Sequence, residues 1–277
     1  GSWVVNRWTK IGGAPSIKPV ETPKLAETTI SPIQPTPRPE VIIPATIKLL
    51  DHQPPIVSAL VNSIKEYNSG LDASDCGVGK TFCALATAKI LGKRVLAICR
   101  KGAIPTWEAA AAYMGVRADV VNYEKLKTGN TNFGEWVKKQ IQNAQGETKT
   151  IEVFEWDERM VENGGYLLVY DECHSLKNQG TINAQIAINA KIQGISILLL
   201  SATAASNPLE MRAIGFILGL FNLKDYWIWA GKHGVRKGRW GMEFSGGPEH
   251  LQKIHADVFK GSIPHGVRVK TKDIPNF

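Results

Sequence analysis

Ser74-Asp75-Cys76-Gly77-Val78-Gly79-Lys80-Thr81 is the stretch that decides how this chain folds. A short, weakly signalled strand around Leu71 precedes it, and a helix from Thr81 to Leu91, with Gly92 in the stop position, follows it. Glycine-rich text between a strand and a helix is the setting a phosphate-binding loop requires. The glycines let successive backbone N–H groups turn inward around phosphate oxygens, and the helix N-terminus adds its partial positive charge. In such a loop Ser74, Asp75, Cys76, Gly77, Val78 and Gly79 form the cradle. Lys80 would reach β and γ phosphates, and the Thr81 hydroxyl would ligate Mg²⁺. Ser74 stands where the usual pattern has glycine.

Outward from the loop, strands alternate with helices. Gln53 to Lys65 carries apolar residues at helical spacing, Val95 to Cys99 reads as a strand, and Pro105 opens a helix through Tyr113. Val120 to Asn122 is a short strand, and the polar text from Lys127 to Gly165 reads as helices and an insertion. Tyr166 to Tyr170 and Ile195 to Leu200 are two further apolar strands. This alternation predicts an α/β fold: a mostly parallel sheet with helices on both faces.

Two of these strands end in chemistry. Leu167-Leu168-Val169-Tyr170 runs into Asp171-Glu172-Cys173-His174, placing two carboxylates at the carboxyl edge of the sheet, where such folds bind ligands. The first suits Mg²⁺, and the second suits polarisation of an attacking water. Leu198-Leu199-Leu200 ends in Ser201-Ala202-Thr203, a hydroxyl cluster placed to sense the γ-phosphate. On this reading Lys80, Asp171 and Glu172 are the catalytic candidates, and Thr81 and Asp171 the metal candidates. Ser201 and Thr203 are the coupling candidates.

The loop, Asp171-Glu172-Cys173-His174 and Ser201-Ala202-Thr203, in this order, resemble motifs I, II and III of superfamily-2 helicases and translocases. The finer text is similar to the Swi/Snf-type translocases of double-stranded DNA. Leu50-Asp51-His52-Gln53 resembles the segment whose glutamine recognises adenine, which makes Gln53 a nucleotide-binding candidate. Ile98-Cys99-Arg100-Lys101 with Pro105-Thr106-Trp107-Glu108 resembles motif Ia, and Asn122-Tyr123-Glu124 resembles motif Ib. The resemblance implies nucleic-acid contacts from Arg100, Lys101 and Tyr123, and a coupling role for His174 beside Ser201 and Thr203. Asp171-Glu172-Cys173-His174-Ser175-Leu176-Lys177-Asn178 matches the family's extended motif II, with Cys173 where alanine or glycine is usual. Asn207, Leu209 and Glu210 are in register with the sequel to motif III, and Ala204 replaces a common proline. Motifs IV to VI have no counterpart, and Arg268 to Pro275 resembles the start of the connection between two lobes. The resemblance therefore implies a P-loop RecA-like domain, the N-terminal lobe of an ATP-driven motor, either as a fragment of a longer protein or as a chain whose second lobe lies elsewhere.

Composition bounds the remaining possibilities. The 277 residues are 43% apolar and 21% charged, which excludes wholesale disorder, and no apolar run approaches the ~18–20 residues that span a bilayer. The start of the chain has no apolar core of a signal peptide. Cys76, Cys83, Cys99 and Cys173 lack metal-site spacing and fit an intracellular, reducing compartment. A formal charge of +8 favours polyanionic partners. Lys224 to Gly241 concentrates basic residues among Tyr226, Trp227, Trp229 and Trp240, and two readings stand. Either Lys232, Arg236, Lys237 and Arg239 touch nucleic acid, or the aromatics anchor a protrusion whose charges face water.

Eight of the fifteen prolines fall between residues 14 and 44. The expected organisation is an N-terminal remnant (1–13), a proline-rich extended segment (14–46) offering a protein-partner site, the lobe (47–265) and the start of the connection (266–277). The leading expectation is a DNA translocase motor lobe acting on duplex DNA. A nucleotide-gated binding or scaffold module with little turnover is its rival, and a strand-separating RNA or DNA helicase shares the same motifs.

Overall fold

The computed structural model describes residues 41–142, 148–162, 164–178, 180–203 and 207–275. Residues 1–40, which carry the expected N-terminal remnant and most of the proline-rich segment, lie outside the described residues, as do 204–206 next to motif III.

The chain runs α1 (Gln53–Tyr67), β1 (Ser69–Asp72), α2 (Lys80–Ile90), β2 (Arg94–Cys99), α3 (Ile104–Met114), β3 (Ala118–Asn122) and α4 (Tyr123–Lys127). There follow β4 (Gly134–Gln142), β5 (Thr148–Trp156), β6 (Tyr166–Asp171), α5 (Ile182–Ile192), β7 (Ser196–Leu200) and α6 (Met211–Leu218). The last elements are α7 (Tyr226–Lys232), β8 (Val235–Lys237), β9 (Met242–Phe244), α8 (Pro248–Phe259) and β10 (Gly266–Val267). Six strands form one sheet in the order β10-β1-β7-β6-β2-β3, and every neighbouring pair is parallel. Parallel strands must return through crossovers, which puts all their carboxyl ends on one edge.

Period-two burial explains why both faces are covered. Val95, Ala97 and Cys99 of β2, Leu167 and Val169 of β6, and Leu198 and Leu200 of β7 pack with α1, α2 and α3. The intervening Leu96, Ile98, Leu168, Tyr170, Ile197 and Leu199 pack with α5 and α6 on the opposite face. A strand buried on both sides needs near-continuous apolar text, which is how β6 and β7 read. Local signals set the helix ends. Pro54 and Pro55 sit in the first turn of α1, Asn68 ends it in a left-handed conformation, and Gly115 ends α3 the same way.

Three features differ from the sequence reading. The text from Lys127 to Gly165, expected to hold helices, forms the antiparallel hairpin β4–β5, with Trp136 opposite Phe154 and Lys138 opposite Glu152. Thr, Val, Ile, Phe and Trp are concentrated in Thr148–Trp156, and that β-branched and aromatic enrichment outweighs the polar average of the segment. Phe154 and Trp156 sink into the core and fix the base of the hairpin. A second hairpin, β8–β9, also went unanticipated. Finally, β10 joins the edge of the main sheet beside β1, pairing Leu71 with Gly266 and Asp72 with Val267. The sheet thus continues past residue 265, where the lobe was expected to end.

Candidate nucleotide site and nucleic-acid face

The turn after β1 is built for close backbone approach. Gly77 and Gly79 have φ of +89° and +88°, a region that costs an L-residue roughly 1–2 kcal/mol. Val78 between them is fully buried and pins the loop to the core, while Cys76 is exposed at its crest. The Lys80 ammonium folds over the loop and donates to the carbonyls of Ser74 at 2.9 Å and Asp75 at 3.0 Å. The first turn of α2 contains no acidic residue, and its N-cap, Gly79, provides no side-chain cap. Its leading N–H groups therefore face the loop without a carboxylate or hydroxyl to satisfy them, which suits an oxyanion. Thr81 is partly exposed in that turn. The residues present fit a nucleotide's phosphates.

Gln53 tethers the loop from the other side. Its Oε1 accepts from Leu50 N at 2.9 Å, and its Nε2 donates to Val78 O at 3.1 Å. His52 Nε2 lies 3.0 Å from the same carbonyl. Gly79 leaves room for this: a Cβ there would stand 2.3 Å from Gln53 Nε2. Behind the loop, Ser74 Oγ accepts from Val269 N, and Asp75 Oδ2 accepts from Thr271 N. The segment after β10 is thereby stitched to the loop.

The carboxylates emerge two strands away on the same edge. Asp171 Oδ2 accepts a 2.9 Å bond from Trp107 Nε1, and the Asp171 carbonyl accepts from Tyr123 Oη at 2.7 Å. Glu172 has φ +54° and ψ +56°, and is one of two non-glycine residues with positive φ among the described residues. This left-handed turn redirects its side chain from the strand line, and its Oε2 lies 3.1 Å from His174 Nδ1. Ser201 Oγ donates to the same Oε2 at 3.4 Å and accepts from Thr203 N at 3.2 Å. His174 Nε2 lies 3.0 Å from Arg100 Nη2. The structure thus brings Glu172, His174, Ser201 and Thr203 together. It also joins the sequels of the two motifs, Lys177 to Glu210 at 3.0 Å.

The residues expected on nucleic acid divide. Arg100 and Lys101 are exposed immediately after β2, and Lys232, Arg236, Lys237 and Arg239 are exposed on α7 and the β8–β9 hairpin. That hairpin packs against the turn at Pro208–Glu210, just beyond motif III. The aromatics of this segment divide between core and surface. Tyr226 and Trp229 are core anchors, whereas Trp240 is 91% exposed with the Arg239 guanidinium 5.2 Å from its ring centre. Tyr123 is a correction. It is buried at 7% exposure, its hydroxyl is spent on Asp171 O, and burial pushes its ionisation upward, so it supports motif II instead of facing a ligand.

Sequence reasoning assigned no role to Asp72 or Trp107. Asp72 ends β1 with no exposure, its Oδ1 accepts from Ser74 N at 3.0 Å, and desolvation raises its carboxyl above the ordinary range despite that bond and nearby Lys80. An acidic residue ending the strand before a phosphate loop was the available signal. Trp107 was quoted within motif Ia, but its indole donor to Asp171 was visible only in space.

Comparison with known proteins agrees with this geometry. Residues 46–206 match the family model described as "Type III restriction enzyme, res subunit". Over 177 residues the chain is 33% identical to a protein of Acanthamoeba polyphaga mimivirus that carries the name of an ATP-dependent RNA helicase, covering 60% of this chain and 32% of that protein. The fold is similar to a solved structure titled "Sulfolobus solfataricus SWI2/SNF2 ATPase core in complex with dsDNA", with a TM-score of 0.54 and 17% identity. That match covers 84% of this chain and 47% of the other. The chain spans about a third of the length of the first relative and about half of the second. Among the described residues no helix is long and apolar enough to cross a membrane. The chain belongs to the type III restriction enzyme res-subunit family, as a RecA-like N-terminal lobe of the superfamily-2 helicase type.

Proposed function

We propose that this chain is the ATP-binding lobe of a motor that couples ATP hydrolysis to movement on, or remodelling of, duplex DNA. The observation that carries the reading is the bond from Ser201 of motif III to Glu172 of motif II, on the edge that also holds the phosphate loop. It links the residue that would face attacking water to the strand end that would sense the γ-phosphate.

In this reading Gln53 recognises adenine, and the loop from Ser74 to Gly79 and Lys80 hold the phosphates. Thr81 and Asp171 hold Mg²⁺, which when bound neutralises charge on the β and γ oxygens. Glu172 orients the water. Trp107 keeps the Asp171 carboxylate in one rotamer, and Tyr123 fixes the backbone from which both carboxylates hang. Arg100, Lys101 and the basic β8–β9 hairpin contact phosphodiesters, which positions the protein without reading sequence. A second RecA-like lobe completes the site, residues 14–46 tether a protein partner, and the setting is an intracellular, reducing compartment.

One finding favours a second reading: the 33%-identical relative is called an RNA helicase, so strand separation on RNA is the alternative. Phosphate release from Mg-ATP, measured with duplex DNA, single-stranded DNA and duplex RNA, tests both. The expected result for residues 1–277 is nucleotide binding with turnover far below that of an intact motor. Addition of a second lobe should restore turnover and give greatest stimulation by duplex DNA. Glu172→Gln should abolish what is restored. Strong stimulation by RNA alone would replace the DNA reading, and absence of nucleotide binding would refute both.

A further inference from the structure

The β8–β9 hairpin turns through Gly238-Arg239-Trp240-Gly241, and this turn holds a large ring out in solvent. Trp240 is 91% exposed, with the Arg239 guanidinium 5.2 Å from its ring centre. The turn is shaped for that presentation. Gly238 N donates to Gly241 O at 2.7 Å and closes it. Gly241 has φ +141°, a conformation L-residues rarely adopt, and a Cβ on Gly238 would stand 2.3 Å from the Glu243 carboxyl carbon. Neither glycine takes a side chain without reshaping the tip. The stem, by contrast, is anchored: Val235 and His233 are buried, and Ser245 N donates to Gly234 O at 3.0 Å. The surroundings are cationic. From Lys232 to Phe244 there are four lysines and arginines, Lys232, Arg236, Lys237 and Arg239, against one carboxylate, Glu243. Among the described residues none of the four forms an ion pair, so their charge stands ready for a polyanion.

We infer that the hairpin tip is a nucleobase site: Trp240 stacks on an unpaired base while Arg236, Lys237 and Arg239 hold the phosphates that flank it. The inference rests on the nucleic-acid reading proposed above and adds the part of the track the lobe recognises, an unpaired stretch. A tryptophan buries ~150–250 Å² when it is covered, far more than a phosphate contact requires. Inside a paired duplex both faces of every base are covered by its neighbours, so a protruding ring finds no free face there. A single strand or a fork offers one. Stacking of a base on an aromatic side chain is worth roughly 5-fold to 150-fold in affinity, and it tolerates any sequence because every base has a π-face. An apolar protein surface could also cover Trp240, but four unpaired cations around the ring favour a polyanion. Stacking transfers no charge. It therefore adds affinity without adding to the salt dependence that phosphate contacts create.

Fluorescence anisotropy with the full chain and labelled single strands of DNA and of RNA tests this, with a relaxed circular DNA duplex, which has no ends, as competitor. Trp240→Ala should weaken single-strand binding roughly 5-fold to 150-fold with the salt slope unchanged, and should leave affinity for the circle unaltered. Trp240→Phe should keep most of the lost affinity, whereas Trp240→Leu, apolar but without a flat face, should behave like the alanine variant. The strand that shows the larger loss identifies the sugar. Part of the tryptophan fluorescence present in the wild type and missing in Trp240→Phe should be quenched by single strands. Because the side chain is exposed, all three variants should keep the wild-type urea midpoint. Wild-type single-strand affinity in Trp240→Ala, an equal loss on the circle, or full affinity in Trp240→Leu would each overturn the inference. If the wild type binds no nucleic acid at all, the motor reading falls as well. If binding is salt-dependent and indifferent to Trp240, only the stacking site falls.

Discussion

Gly79→Ala should damage the loop and its Gln53 tether together, because one Cβ strikes both. The first cost is conformational. Gly79 has φ +88°, where an L-residue pays ~1–2 kcal/mol. The second is steric. The new carbon would lie 2.3 Å from Gln53 Nε2, a separation no side chain tolerates, so Gln53 must leave its place. Gln53 is 3% exposed and bridges Leu50 N and Val78 O, so moving it surrenders two bonds worth ~0.5–1.5 kcal/mol each. The sum is about 2–5 kcal/mol. Part of it is relieved by deforming the loop, so global stability should fall by less than the sum while nucleotide affinity falls steeply. At ~1.4 kcal/mol per tenfold, a loss of more than tenfold in ATP affinity is expected. Gln53→Ala isolates the tether: the loop keeps its glycine, phosphate binding persists, and preference for ATP over GTP declines. Urea denaturation and calorimetric titration with both nucleotides are the measurements. A folded Gly79→Ala protein with wild-type denaturation midpoint and wild-type ATP affinity would refute this account of the loop.

Lys80→Ala removes both the phosphate charge and the brace across Ser74 O and Asp75 O, so ATP affinity should drop at least tenfold to a hundredfold (~1.5–3 kcal/mol) with the circular dichroism of the fold retained. Unchanged affinity in calorimetry would dismiss the phosphate-loop assignment. Charge reversal at Lys101, Arg236, Lys237 and Arg239 should lower duplex affinity and flatten its salt dependence by ~0.9 in log–log slope per lost phosphate contact, measured by fluorescence anisotropy. An unaltered slope would leave those residues as solvated charge. For Asp72, burial raises the folded-state carboxyl above its unfolded value. Its contribution to stability is then fullest below the unfolded value and is lost as pH rises through the folded one, at ~1.4 kcal/mol per tenfold difference in proton affinity. Asp72→Asn should remove that decline from urea midpoints followed upward from about pH 4, and parallel profiles for the two proteins would contradict it.

How much was legible in the sequence depended on whether a residue acts through its neighbours along the chain or through space. The strands ending at Cys99, Asp171 and Leu200 were readable because each is an uninterrupted apolar run ended by polar or turn text, and two-sided burial demands that text. The phosphate loop was readable because its glycines, lysine and helix start are contiguous. The β4–β5 hairpin was not, because its distal half is exposed and reads as polar, so the decisive signal was propensity and not periodicity. Tyr123 misled because position on a motif says nothing about where a ring points. Only the crossover placing α4 beside β6 shows its hydroxyl turned toward Asp171. Trp107 and Arg100 show the same limit in the other direction: their partners lie 64 and 74 residues away along the chain.

The sheet also explains why chemistry at this site is one-sided. Every group assigned to the phosphates, Mg²⁺ or the water leaves the carboxyl edge of a parallel strand or the helix that follows: Lys80 and Thr81 after β1, Asp171 and Glu172 at the end of β6, Ser201 after β7. Such an edge can cradle phosphates from below, but phosphoryl transfer also needs positive charge on the opposite side of the transferred group, where an arginine is worth ~10³–10⁵ in rate. Arg100 alone among the described arginines bonds to the Asp171–His174 segment, and its guanidinium goes to His174 and not toward the loop. On the proposed reading, the cation opposite this edge would be supplied by a surface that closes over it.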